Sequence, residues 1–142
     1  MVAGAWQVYD EGLEDILDGT VDLDTDTIKT QLHDVAYVPA DADLTAANEL
    51  ATANGYTAGG ITCTITVTNA AGTVTIDSTT NPQWTATGGS IAAATAVIIK
   101  AATSQPLFHA DLDTGGGNLT ATDGNTFTIT FNASGICTVA QA

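Results

Sequence analysis

Ile61-Thr62-Cys63-Thr64-Ile65-Thr66-Val67-Thr68 is the stretch that decides the fold class. Apolar residues alternate with threonines along its whole length, which is the period-two pattern of a strand with one buried and one wet face. Threonine and the β-branched aliphatics also suit a pleated, half-buried surface. Working outward, Asn69 to Gly72 has hairpin composition and leads into Thr73 to Asp77, and Gln83 to Ala86 around Trp84 reads as a further short strand. Gly88 and Gly89 introduce an apolar run whose end, Val97-Ile98-Ile99-Lys100, reads as a central strand. Leu107 to Leu112 follows, then a turn at Gly115-Gly116-Gly117. Phe127, Ile129 and Phe131 alternate with threonines, and the chain closes through a turn from Asn132 to Gly135 and a strand from Ile136 to Val139.

Upstream of the opening stretch, Ile28, Thr30 and Leu32 alternate with Thr27, Lys29 and Gln31, giving a strand that ends near Asp34. The region from Tyr37 to Gly60 is looser, with helical turns expected from Leu44 to Ala53 capped by Asp43, and turns at Gly55, Gly59 and Gly60. The spacing of Trp6, Tyr9, Leu13, Ile16 and Leu17 predicts one helix from Trp6 to Asp18, ended by Gly19 as a left-handed cap. About eight short strands separated by glycine and asparagine turns imply a mainly β fold. The expected form is an antiparallel β-sandwich or jelly-roll-like barrel with a short N-terminal helix. At 142 residues it is one domain: a helix over 1–19, an acidic strand and loop region over 20–60, and the main strands over 61–142.

Sixteen acids face two lysines, Lys29 and Lys100, with no arginine, for a formal net charge of -14. Nucleic acids take most of their affinity from Lys and Arg on phosphate, so this chain is expected to bind none. Anionic membranes are disfavoured for the same reason. The longest apolar segment, Ile91 to Ala102, is too short to span a bilayer, and no signal peptide is read after Met1. Twelve of the sixteen acids precede Leu50. Several sit in the helix, where Glu11 with Asp15 and Glu14 with Asp18 are like-charge pairs four residues apart. Such a helix is weak alone and needs its apolar stripe held by a sheet or by another chain. Trp6 and Tyr9, with Glu11, Glu14, Asp15 and Asp18 on the polar side, are therefore the candidate interface residues.

Residues with chemistry to offer are few. Asp22, Asp24 and Asp26 have the alternate spacing that opens a calcium loop, but Thr27 stands where that loop needs glycine and His33 where it needs a bidentate glutamate. They remain the metal candidates, and no cofactor is expected. His33 and His109 lack a second ligand at metal spacing. His109 shares a strand face with Asp111, yet none of Ser78, Ser90, Ser104 and Ser134 lies in a nucleophile elbow. Cys63 and Cys137 read as free thiols within alternating apolar stretches. Trp84, Phe108, Phe127 and Phe131 read as core, and an enzyme is not expected.

The run Gly19-Thr20-Val21-Asp22-Leu23-Asp24-Thr25-Asp26-Thr27-Ile28-Lys29, preceded by the Trp6 helix, resembles the opening of a group of small tailed-bacteriophage proteins. The resemblance continues in order through Gly55-Tyr56-Thr57-Ala58-Gly59-Gly60-Ile61-Thr62, Trp84-Thr85-Ala86, Ala96-Val97-Ile98-Ile99-Lys100 and Phe127-Thr128-Ile129-Thr130-Phe131-Asn132-Ala133-Ser134-Gly135. It implies a virion structural protein, either a capsid decoration (cement) protein or a small tail, neck or receptor-binding component, and it supplies no catalytic residue. The strong negative charge favours the outer face of a shell over a position against packaged DNA. The expectation is thus a decoration protein whose partner is the major capsid protein. It would act as a trimer or dimer on the outer capsid surface of the virion, having passed through the host cytoplasm before assembly.

Overall fold

The computed structural model of the chain describes residues 4–41 and 48–140. Among them are one helix and twelve strands, all paired antiparallel. The largest sheet has five strands in the order β1 (Gln7–Val8), β9 (Gln105–Asp111), β8 (Thr95–Lys100), β2 (Ile28–His33) and β3 (Ile61–Thr62). A three-stranded sheet runs β12 (Cys137–Ala140), β5 (Thr73–Ser78), β4 (Ile65–Ala70). Two ribbons pair β10 (Leu119–Ala121) with β7 (Ile91–Ala93) and β11 (Thr126–Thr128) with β6 (Gln83–Thr85). The fold is mainly β, and these sheets do not close into a barrel.

At the centre, β2 and β8 pair from Ile28 opposite Lys100 to His33 opposite Thr95. Directly opposite residues share a face. Ile28, Thr30 and Leu32 therefore lie with Ile98 and Ala96, while Gln31 and His33 lie with Val97 and Thr95. Both faces are buried, and only Lys29 of β2 and Lys100 of β8 keep partial exposure. Tyr9 and Tyr37 pack with Val97 and Ile99 over the face that carries Lys29, Gln31 and His33. On the opposite face Leu32, Ala96 and Ala110 pack with Trp84, Ile91 and Phe127 of the ribbons. Further along, Ile28, Ile98 and Phe108 pack with Ile65, Ile76 and Ile136 of the three-stranded sheet and its approach.

The opening stretch turns out to be two strands. Ile61 and Thr62 pair with β2 in the five-stranded sheet, and from Ile65 onward the chain pairs with β5 in the other. Cys63 and Thr64 carry the chain between sheets, with Cys63 buried as alternation predicted. The hairpin after Ala70 turns through Ala71 and Gly72, both at positive φ (50° and 83°), as the twist of a two-residue hairpin loop requires. The long apolar run is likewise split at Ala94 into β7 and β8. In β9, Pro106 sits at the register shift opposite Ile99, where no N–H is needed for the ladder.

Helix α1 spans Asp10–Asp18, shorter than the Trp6 to Asp18 expected. Gln7 and Val8 instead pair with His109 and Phe108 as an edge strand, and the Tyr9 N–H donates to the Leu107 carbonyl at 3.0 Å. Trp6 and Tyr9 are three apart and so mimic helical spacing; Trp6 stacks on Phe131, centroids 5.3 Å apart. Gly19 caps the helix at φ 84°. The helix is held by its own sheet. Gly12 lies against β9 so closely that an added Cβ would meet the Pro106 carbonyl oxygen at 2.8 Å and the Leu107 Cα at 2.9 Å. Both like-charge pairs fall inside the helix, with no basic residue in its last turn.

Of the helical turns expected over Leu44 to Ala53, Asp43 and residues 44–47 lie outside the described residues. From Glu49 to Ala53 the chain is not helical: Glu49 bridges His33 and the Leu50 N–H donates to the Leu32 carbonyl. The Glu49 carboxylate accepts from Tyr56 Oη at 2.7 Å, the Gly59 N–H at 2.6 Å and Gln31 Nε2 at 3.2 Å. Tyr56 Oη in turn accepts the Leu32 N–H at 3.1 Å. Gln31 and the Leu32 N–H of β2 thereby find partners, and the 48–60 loop is fixed to the sheet.

Two outcomes follow. Gly12→Ala gains about 1 kcal/mol of helix propensity but drives a methyl into backbone that cannot swing aside, so a net loss of about 1–2 kcal/mol and a lower melting temperature are expected. Raising ionic strength screens the like-charge pairs of α1 and should raise the melting temperature; a flat profile would contradict the role given to these pairs.

Candidate interaction surface

The three-stranded sheet divides its residue types by face. Register places Val67 opposite Ile76 and Val74 opposite Val139 on one side, and Thr68 and Thr138 opposite Thr75 on the other. The apolar side is closed where Ile65 and Ile76 enter the core. It is open farther out, where Val67 is 51% and Val139 42% exposed. Facing it is the end of α1, whose Leu17, expected on the buried stripe, is 71% exposed. Between them, and bounded by the 21–24 segment, runs an apolar groove of about 440 Å³. Asp22 and Asp24 line it, and Asp18 stands just before Gly19, which lines it too.

The aspartate series Asp22, Asp24 and Asp26 forms a compact turn here. The Asp22 carboxylate accepts the Asp24 N–H at 2.9 Å and the Thr25 N–H at 3.3 Å, and Asp26 accepts the Asp22 N–H at 2.9 Å. Lys100 Nζ reaches Asp26 at 2.7 Å and the Thr20 carbonyl at 2.9 Å, tying the turn to the end of β8. These donors hold the Asp22 and Asp26 carboxyls below the usual carboxylate range, the Asp24 N–H acting most on Asp22 and Lys100 most on Asp26. The Thr20 N–H does the same for Asp18. Two of the three candidate metal ligands are thus engaged by the chain itself. Among the described residues no group of three or more His, Cys, Asp or Glu is arranged to hold a metal.

The other candidate residues are spread over the fold. Tyr9 is completely enclosed, its ring 4.6 Å from that of His109 and 6.2 Å from that of Tyr37. Trp6 is half-buried, while Glu11, Glu14 and Asp18 are exposed and Asp15 is partly so. The structure therefore brings together the acids of α1, and it turns Tyr9 inward under the sheet. Cys63 is buried and Cys137 half-buried; both are free thiols whose pKa burial raises. Sequence reading missed Leu17, Val67 and Val139 as a surface. Their only signal was an apolar pattern that continues past the end of the core.

The two imidazoles sit on the covered face of the five-stranded sheet, 1% exposed for His33 and 2% for His109. His33 Nδ1 lies 2.9 Å from Tyr37 Oη and Nε2 lies 3.2 Å from Gln31 Oε1. His109 shares its face with Asp111, which is exposed at the strand end, and its Nδ1 is buried with no hydrogen-bond partner. Burial pushes His33 down to about 4 and lowers His109 as well, against opposing pulls from Asp34 on the first and Asp111 and Asp41 on the second. Among the described residues neither ring is hydrogen-bonded to a serine.

Compared with protein-family models, curated proteins and solved structures, the chain matches none of them.

Because the folded state holds His33 neutral, acidification protonates the unfolded chain first. Stability is intact above the unfolded pKa of 6.5 and falls as pH drops toward about 4. The loss attributable to His33 is on the order of 3 kcal/mol. Denaturant melts at stepped pH should show this decline, and His33→Gln should make it shallower within that window, leaving the part due to His109.

Proposed function

We propose that the chain is a non-enzymatic bacteriophage virion structural protein of the decoration, or cement, type, bound to the major capsid protein on the outer face of the shell. The observation that carries this reading is the one-signed surface. No described carboxylate is buried, while of the two lysines Lys100 is consumed by Asp26 and Lys29 lies half-covered within β2. A surface of that kind is repelled by packaged DNA and tolerated facing solvent. The ordered motif resemblance from Gly19 to Gly135 points to the same class.

Read as an antiparallel sandwich, with the five-stranded sheet as one layer and the smaller sheets as the other, the fold offers a rigid body for bridging neighbouring subunits. Binding the assembled shell and not free subunits stabilises the shell by linkage. A trimeric or dimeric state on the capsid belongs to this proposal. The imidazoles favour a non-catalytic role, since both are enclosed and held neutral by burial.

Purified particles provide the test. The chain should be present at a copy number approaching that of the capsid subunits, a map should place it on the exterior, and shells lacking it should disrupt at lower temperature until it is added back. A few copies at the tail or neck would assign it there instead. Density lining the interior against DNA would overturn the electrostatic argument.

A further inference from the structure

We propose that the groove between the end of α1 and the valine face of the β12-β5-β4 sheet is a docking site for an extended apolar segment of another polypeptide, flanked by lysine or arginine. This rests on the reading of the chain as a partner-binding virion protein and names the surface and the partner chemistry.

The floor of the groove continues the core outward. Ile76 is buried, and the neighbouring Val67 and Val139 lie open beside Leu17. Isolated exposed apolar residues are ordinary, but valines side by side on one sheet face, with an exposed leucine across a groove, form a contiguous patch. The opposite face of the same sheet shows that this composition is not forced by strand formation, since threonine fills Thr66, Thr68, Thr75 and Thr138 there.

Charge selects the occupant. Asp22 and Asp24 line the groove and Asp18 stands at its edge, all three exposed. The nearest cation, Lys100, is already paired with Asp26. A second copy of this chain could not supply the missing charge. Its own Lys100 is equally engaged, and its Lys29 is half-covered on the face of the five-stranded sheet that it shares with Ile99 and Thr62. Self-association here would add carboxylates to carboxylates. An apolar segment with basic flanks buries the valines and meets the rim with opposite charge, which sets both orientation and encounter rate.

Two synthetic peptides test this, sharing a central Val-Thr-Val-Thr-Val and differing only in flanking lysines or glutamates. In methyl NMR of the full chain, the lysine peptide should shift Leu17, Val67 and Val139 and bind several-fold more weakly as salt rises from about 0.05 to about 0.5 M. The glutamate peptide should leave those methyls unmoved. Leu17→Ser with Val139→Thr should abolish the shifts at unchanged melting temperature. Asp24→Asn, which leaves the floor intact, should weaken the lysine peptide alone. Absent shifts, equal shifts from both peptides, or shifts elsewhere overturn the proposal. So does a wild-type dimer that the double variant converts to monomer, which would make a second copy the occupant. Particles separate this from the decoration reading. If the double variant is incorporated like wild type, the groove assignment fails and decoration stands. If particles lack the chain while the peptides behave as stated, decoration fails and the groove stands.

Discussion

Burial of the β2–β8 pair on both faces is the constraint from which the rest of the molecule follows. A sheet with one buried face needs a single cover, whereas this one needs two. The first is supplied by the smaller sheets through the clusters around Trp84 and Phe127 and around Ile65 and Ile76. The second is supplied by Tyr9 and Tyr37, which explains why the N-terminal segment leaves its helical pattern to pair as β1 and why Gly12 lies against β9. It also fixes the chemistry of the polar residues caught beneath. His33 finds Tyr37 and Gln31, Glu49 gathers three donors beside the same strand, and both histidines stay neutral at the cost of acid tolerance.

Electrostatics acts at the periphery. With so few cations, the chain spends Lys100 on joining the 20–26 turn to β8, and backbone N–H groups of that turn donate to the Asp22 and Asp26 carboxylates without removing their charge. The helix has no comparable compensation and depends on contact with its own strand. What results is an acidic shoulder around an apolar groove, on a body whose interior is conventional.

The sequence made the fold class legible because alternation is a local property: β5, a hairpin turn within Asn69 to Gly72 and the Gly19 cap lie where composition put them, while β4 starts at Ile65 and runs on to Ala70. What it could not convey is partnership. The alternation from Ile61 to Thr68 runs unbroken through Cys63 although the chain changes sheets there, since a side chain can be buried by either sheet. Gln31 and His33 are buried although polar, because Tyr9 and Tyr37 cover their face, and alternation alone does not reveal that cover. Conversely, Leu17 and Val67 fit buried stripes and are exposed, because the helix and the hairpin both extend past the surface that would have covered them. The acids of the candidate site were visible in the sequence, while its apolar half depended on that overhang.

The placement of the two lysines has a consequence for proteolysis. Trypsin cuts after lysine or arginine, so only two bonds of this chain are susceptible. Both lie in neighbouring strands of the central sheet, where Lys29 pairs with Ile99 and Lys100 with Ile28, and the Ala101 N–H still donates to the Thr27 carbonyl at 2.9 Å. A protease must draw out an extended segment to cleave it, so the bond after Lys29 is accessible only when the central ladder separates, whereas the bond after Lys100 needs only the end of that ladder to open. Fraying of the helix or of the β4–β5 hairpin leaves both bonds protected, and tryptic cleavage after Lys29 therefore reports the opening of the core, while cleavage after Lys100 reports the end of β8 coming loose.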